Sequence, residues 1–193
     1  MDAHWSVSYL ILIISSVVLV IIAASLTVYV APTAAGSGVA EAMGYLNGLA
    51  YPKFITLRAL AVKFFGLALS VSAGICGGKE GPLVHMGLIV GAAIPYLNFT
   101  GSIFKFFRND TEKRKLIAAG IAAGVSAAFG APIGGSLFAY EISKPSTFWS
   151  FSLTWKVFFA ASMSTFTLTV LKQLYEGHTT NIKLINSGSI KLA

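Results

Sequence analysis

Charge is what this chain has least of. Only 11% of its 193 residues are Asp, Glu, Lys or Arg, 55% are hydrophobic, and no charged side chain occurs from Trp5 to Ala40. Soluble domains carry about 25% charged residues, so the composition excludes that class and fits a membrane protein. Cysteine is nearly missing as well: Cys76 stands alone, which excludes an internal disulfide and a Cys-rich metal site and leaves a small buried filler as its expected role. The three histidines, His4, His85 and His178, are too scattered for metal-ligand spacing. No serine has a catalytic base placed by a motif. A phosphate loop fails on spacing, because Ala73 and Glu80 stand where it needs Gly and Ser or Thr. The expectation is a protein that is not an enzyme and uses no metal or cofactor.

What the chain does have is long apolar runs. Residues 10–31 suffice for one spanning helix at about 20 residues per span, and further candidates are residues 64–78, 82–104, 116–140 and 151–171. Several are broken by Gly or Pro, so some are expected to enter the bilayer and stop rather than cross it. The first run resembles a signal peptide only superficially. Its leading residues carry Asp2 and neither Lys nor Arg, so a retained helix is expected.

The formal charge of +7 does not point to nucleic acid, because the positives lie in short clusters between apolar segments. Lys105, Arg108, Lys113, Arg114 and Lys115 form the densest of these, which the positive-inside rule places in the cytoplasm. Residues 116–129 then run away from that face until Gly130, Ala131 and Pro132 break the helix, and residues 133–142 return, delivering Glu141 and Ile142 near the cytoplasm. Sequons at Asn98 and Asn109 would face the cytoplasm and stay unused. Small residues such as Ala119, Gly120, Ala123, Gly124, Gly134 and Gly135 fill this hairpin, which permits close backbone approach in lipid. The polar stretch from Glu176 onward reads as a connector.

Two places carry chemistry. Ser37, within Ala35-Gly36-Ser37-Gly38, precedes a short helix expected over residues 39–46, where it reads as an N-cap or as a hydroxyl donor for an anion at the positive end of the helix. Gly77-Gly78-Lys79-Glu80-Gly81-Pro82 is a second helix start, with Pro in the first turn. An acid at membrane depth costs about 2.5–3.5 kcal/mol even on lenient scales, so Glu80 needs a functional reason. Discontinuous membrane helices whose N-termini converge hold anionic substrates. A carboxylate at such an N-terminus competes for the anion's place and vacates it on protonation, which makes it a gate.

These stretches resemble the CLC family of chloride channels and chloride/proton exchangers. Gly36-Ser37-Gly38-Val39-Ala40-Glu41, with Gly44-Tyr45-Leu46-Asn47-Gly48, is similar to the family's first anion motif. Gly78-Lys79-Glu80-Gly81-Pro82 is similar to the second, and Gly130-Ala131-Pro132-Ile133-Gly134-Gly135 through Glu141 to the turn and returning helix before the internal proton site. Residues 148–168 are most similar to the endosomal and lysosomal branch. The resemblance covers nearly the whole chain. It implies an all-α integral membrane protein of tilted and discontinuous helices, with residues 1–175 making the first inverted half of the transport domain and residues 176–193 a connector toward the second.

By position, the resemblance implies that Gly36, Ser37, Gly38, Gly78, Lys79, Glu80 and Gly81 surround the anion. Ser37 would donate its hydroxyl and favour chloride over nitrate, and Glu80 would be the gate of a voltage- and pH-gated conductance. Two departures bear on this: Val39-Ala40 replaces the usual Ile-Pro, and Glu141-Ile142 replaces a Glu-Glu pair. Ile142 stands at the exchangers' proton relay and cannot hold a proton, which favours passive chloride conduction, with chloride/proton antiport as the alternative. A further alternative is a non-conducting half that modulates assembly. The family implies homodimers in a lipid bilayer, and the branch an endosomal, lysosomal or other organellar membrane.

Overall fold

The computed structural model describes residues 2–96, 108–144 and 148–175, and the side chains from residue 7 onward within them. Lys105, Asn98 and the connector from Glu176 lie outside the described residues. Among the described residues the chain is helical without a strand: α1 (Asp2–Val30), α2 (Val39–Leu46), α3 (Leu57–Ser72), α4 (Glu80–Ala93), α5 (Asp110–Phe129), α6 (Pro132–Ser143) and α7 (Phe151–Tyr175), with short 3-10 turns at Pro32–Ala34 and Ile94–Tyr96.

Breakers set the short elements. The helix α2 occupies the residues expected for it. Gly130, left-handed at φ 67°, caps α5 by donating its N–H to the Ser126 carbonyl at 2.8 Å, and Pro132 opens α6 in the first turn. The hairpin follows from those two residues.

Other boundaries differ from the hydropathy reading, and the differences have a common cause. The third helix starts at Leu57 rather than Phe64, because Thr56 caps it by accepting the Ala59 N–H at 3.2 Å, and it carries Arg58 and Lys63 inside its first two turns. It ends at Ser72, so Cys76 falls in the Gly-flanked link to α4 and is exposed, not the buried filler expected of it. The fifth helix starts at Asp110 rather than Leu116. Its acidic first turn suits the positive end of the helix, and Asp110 and Glu112 pair with Arg114 and Lys115, each at 2.7 Å.

Two helices, over Val7–Val30 and Phe151–Tyr175, are long and apolar enough to cross a membrane among the described residues. At 14 residues, α4 reaches only about 21 Å against a hydrocarbon core of about 30 Å. The rest of the expected run, residues 97–104, lies outside the described residues.

The core is built on the meeting of α4 with α5. A side chain at Gly87 would collide with the Gly120 carbonyl, one at Gly91 with that of Leu116, one at Gly120 with that of Gly87, and one at Gly124 with that of Leu83. Two glycines on each helix, spaced i, i+4, thus let the two backbones touch, the small-residue packing used where lipid removes any hydrophobic drive between helices. On its other side α5 receives α6, where Gly135 lies against Ser126 and the Ala122 carbonyl, and α7, whose Ser164 hydroxyl donates to the Ala123 carbonyl at 2.9 Å. The small-residue stripe of α5 therefore serves α4 as much as its own hairpin partner.

Candidate functional site

Packing α4 on α5 fixes the start of α4, and the start of α2 lies directly against it. A Cβ placed on Gly81 would fall 2.5 Å from Ser37 Cβ and 3.2 Å from Ser37 Cα, so only glycine lets the two helix starts meet. Gly38 is buried and left-handed at φ 81°, and a Cβ there would sit 2.8 Å from His85 Cβ. The sequence spacing of 44 residues between Ser37 and Gly81 gave no distance; the fold makes them neighbours.

Ser37 is exposed, and it is not the N-cap that the sequence pattern implied. That position belongs to Gly38, which has no side chain to cap with and whose left-handed backbone and missing Cβ leave room for His85. The Ser37 hydroxyl accepts the Val39 N–H at a long 3.4 Å. Among the described residues its own proton has no acceptor.

Lys79 occupies the cap position of α4 and Glu80 its first turn. The Glu80 side chain is half-buried and folds back over Gly78, where a Cβ would strike its carboxylate. A carboxylate so placed lies at the positive end of its own helix. Gly36, Ser37, Lys63, Gly77, Gly78 and Pro82 line one side of a cavity of about 580 Å³, and α1 and α3 wall the rest with mainly apolar side chains.

Beneath Ser37 lies a polar chain that the sequence reading did not find. Lys63, only 4% exposed, donates to the Ser37 carbonyl at 3.4 Å and to His85 Nδ1 at 2.8 Å. His85, wholly buried, then has its proton on Nε2, which donates to the Phe54 carbonyl at 3.0 Å, while the Phe54 ring stacks on the imidazole at 3.9 Å. The available signal was helical register: Lys63 shares the buried face of α3 with Ala59 and Val62.

Glu141 and Ile142 lie elsewhere, at the far end of α2. Glu141 is exposed, with Lys144 at 3.8 Å, whereas Ile142 is 3% exposed. Asn47, just past the end of α2, donates its amide to the Met43 carbonyl at 2.8 Å and to the Ile142 carbonyl at 3.5 Å. The sequence motifs thus form two groups, residues 36–38 with 78–81 at one end of α2, and residues 141–142 at the other.

The chain is similar to known proteins along most of its length. The family model described as voltage gated chloride channel matches residues 19–192. H(+)/Cl(-) exchange transporter 7 of Homo sapiens is 42% identical over 177 residues, 88% of this chain and 22% of that protein. Chloride channel protein D of Dictyostelium discoideum is 44% identical over 84% of the chain and 16% of that protein, and the putative chloride channel-like protein CLC-g of Arabidopsis thaliana is 36% identical over 87% and 22%. The chain therefore spans about a fifth of the length of these relatives. With a family model matched along nearly all of its length, on an all-helical fold containing membrane-length helices, the chain belongs to the CLC family of voltage-gated chloride channels and is a membrane protein.

Proposed function

We propose that this chain carries one half of a chloride pathway, with residues 1–175 as the first inverted half of a CLC transport domain and residues 176–193 as the connector beyond it. Chloride is held where α2 and α4 begin, by the Ser37 hydroxyl and the backbone amides of Gly36, Gly38 and residues 78–81, with Lys79 flanking. Glu80 is the gate. The observation that carries this reading is the contact between Gly81 and Ser37, which brings together two helix starts that bear an acid and a hydroxyl. There the charge of the carboxylate and that of the anion exclude each other, and a proton on Glu80 releases the place.

Passive conduction is the mode we favour, since a buried Ile142 supplies no proton-binding group where the family's exchangers carry one. Proton-coupled exchange is the second reading, favoured by the likeness to proteins named exchange transporters. The assembly is a homodimer of complete subunits, and its membrane an endosomal or lysosomal one. The experiment is Glu80→Gln in the complete gene product, recorded under voltage clamp: gating by voltage and by pH should weaken together. Unchanged gating refutes the role of Glu80. Reversal potentials of the parent that follow chloride alone support conduction, and potentials that also move with pH support exchange.

A further inference from the structure

We propose that the turn Tyr51-Pro52-Lys53-Phe54 is a clasp that fixes α2, with Tyr51 and Phe54 as positioning residues for the anion held at Ser37; the role rests on the Ser37–Glu80 reading above. The need for a clasp arises in α2 itself. Its eight residues contain no proline, its start has no side-chain cap, and only Ala42 and Leu46 among them are buried. A helix that short is not stable alone, so its place must come from contacts with other elements.

The turn meets α2 at two points. A Cβ on Gly44 would strike the Tyr51 hydroxyl and lie 2.9 Å from the ring at Cε2, so the phenol rests on the bare backbone of the helix. At the start of α2 the contact is made through His85. The Phe54 ring stacks on the imidazole at 3.9 Å, the Phe54 carbonyl accepts from Nε2 at 3.0 Å, and the imidazole fills the space beside Gly38 that a Cβ would occupy. Phe54 is 4% exposed and its ring lies 6.0 Å from that of Tyr51, so both contacts belong to one block. Gly38 and Gly44 are six residues apart, about 9 Å along a helix. Two contacts that far apart fix the tilt of the rod as well as its position, which one contact cannot do.

The turn itself is strained. It closes with the Phe54 N–H donating to the Tyr51 carbonyl at 3.5 Å, and Lys53 has φ 63°, the one positive φ outside glycine among the described residues. Proline followed by a residue of positive φ is the pattern of a type II turn, whose third position normally takes glycine. A side chain there persists only where the surroundings fix the backbone. They do so here, because the Lys53 carbonyl accepts from the Thr33 hydroxyl at 3.2 Å and from the Thr56 hydroxyl at 3.4 Å. Thr33 lies in the 3-10 turn that leads to Gly36 and Ser37. The clasp therefore holds the chain on both sides of Ser37, and a hydroxyl that moves by about 1 Å loses its hydrogen bond to an anion.

The test is thermal unfolding of the complete gene product in detergent, with chloride replacing gluconate at constant ionic strength. Gly44→Ala is the telling variant, because alanine favours a helix over glycine while its methyl displaces the Tyr51 ring. It should melt at or above the parent in gluconate, yet need about three- to tenfold more chloride for the same rise, the partial loss of one hydrogen bond to the ion. Tyr51→Ala should raise the chloride requirement likewise, and Tyr51→Phe, which keeps the ring, should hold the parent's value. A merely structural turn would give Tyr51→Ala a lower melt in gluconate with the parent's chloride requirement, and that result overturns the proposal. So does a Gly44→Ala variant that responds to chloride as the parent does, and this variant decides alone if Tyr51→Ala does not fold. A parent indifferent to chloride refutes the Ser37–Glu80 reading and the clasp with it, whereas a responsive parent with unchanged variants refutes the clasp only.

Discussion

Replacing Gly81 with alanine asks whether the contact of two helix starts is the site. The added methyl would sit 2.5 Å from Ser37 Cβ, and ordinary contact begins at 3.4 Å, so α2 and α4 must separate at their starts. The separation is about 1 Å, and overpacking of this kind costs about 1–3 kcal/mol. An anion shared between the Ser37 hydroxyl and the amides of residues 78–81 then keeps one set of donors and loses the other. Losing one charge-assisted hydrogen bond is worth about 1.5 kcal/mol at the low end of its range, or roughly tenfold in chloride affinity. The assay is the chloride dependence of thermal unfolding for the complete gene product. At chloride one hundred times its dissociation constant the parent gains about 2.7 kcal/mol, and a tenfold weaker variant about 1.4 kcal/mol. Gly134→Ala serves as the control, because a Cβ there meets only Ala131 Cβ at an ordinary 3.6 Å. If Gly81→Ala kept the parent's chloride response, the anion would not be held between these two helix starts.

Two further predictions concern the frame behind the site. Gly120→Ala drives a methyl into the Gly87 carbonyl and should destabilise the protein by about 1–3 kcal/mol, read as a lower melting temperature in detergent; an unchanged melt would show that α4 and α5 do not meet through their backbones. Ser126 is fully buried and its hydroxyl has no partner among the described residues, so Ser126→Ala should be neutral or raise stability by up to about 1 kcal/mol. A loss on that substitution would show that the hydroxyl is bonded in the complete protein.

Glycine and proline made the short elements legible in the sequence, and charge concealed the rest. The bounds of α2, the turn at Gly130 and Pro132, and the start of α7 at Phe151 were all readable, since breakers and caps act locally. The start of α3 was not. Treating charge as the edge of an apolar run excluded Arg58 and Lys63, yet Lys63 is inside the helix because its partners arrive from 22 and 26 residues away. The same rule moved the start of α5 past residues that pair along the helix itself. The site was half legible for a related reason. Motifs named Ser37 and Glu80, but neither spacing nor composition could state that His85 would be the support beneath both helix starts, because that depends on α3 and α4 packing together.

In the pathway proposed above, the placement of α2 bears on how the two ends would communicate. Its eight residues make a rod of about 12 Å. The rod carries Gly38 and Ser37 at one end, against His85 and Gly81, and Asn47 at the other, bonded to the Ile142 carbonyl. A gate movement that pushes on Ser37 is therefore borne by the same rigid element that touches the end of α6. In an exchanger such a rod could link an external carboxylate to an internal one. Here its inner end meets a buried isoleucine, and the adjacent Glu141 faces outward toward Lys144. On the proposed reading, a proton moving between Glu141 and Glu80 would need water or another residue to bridge the gap that Ile142 leaves, so α2 would keep a mechanical connection without a proton-carrying one.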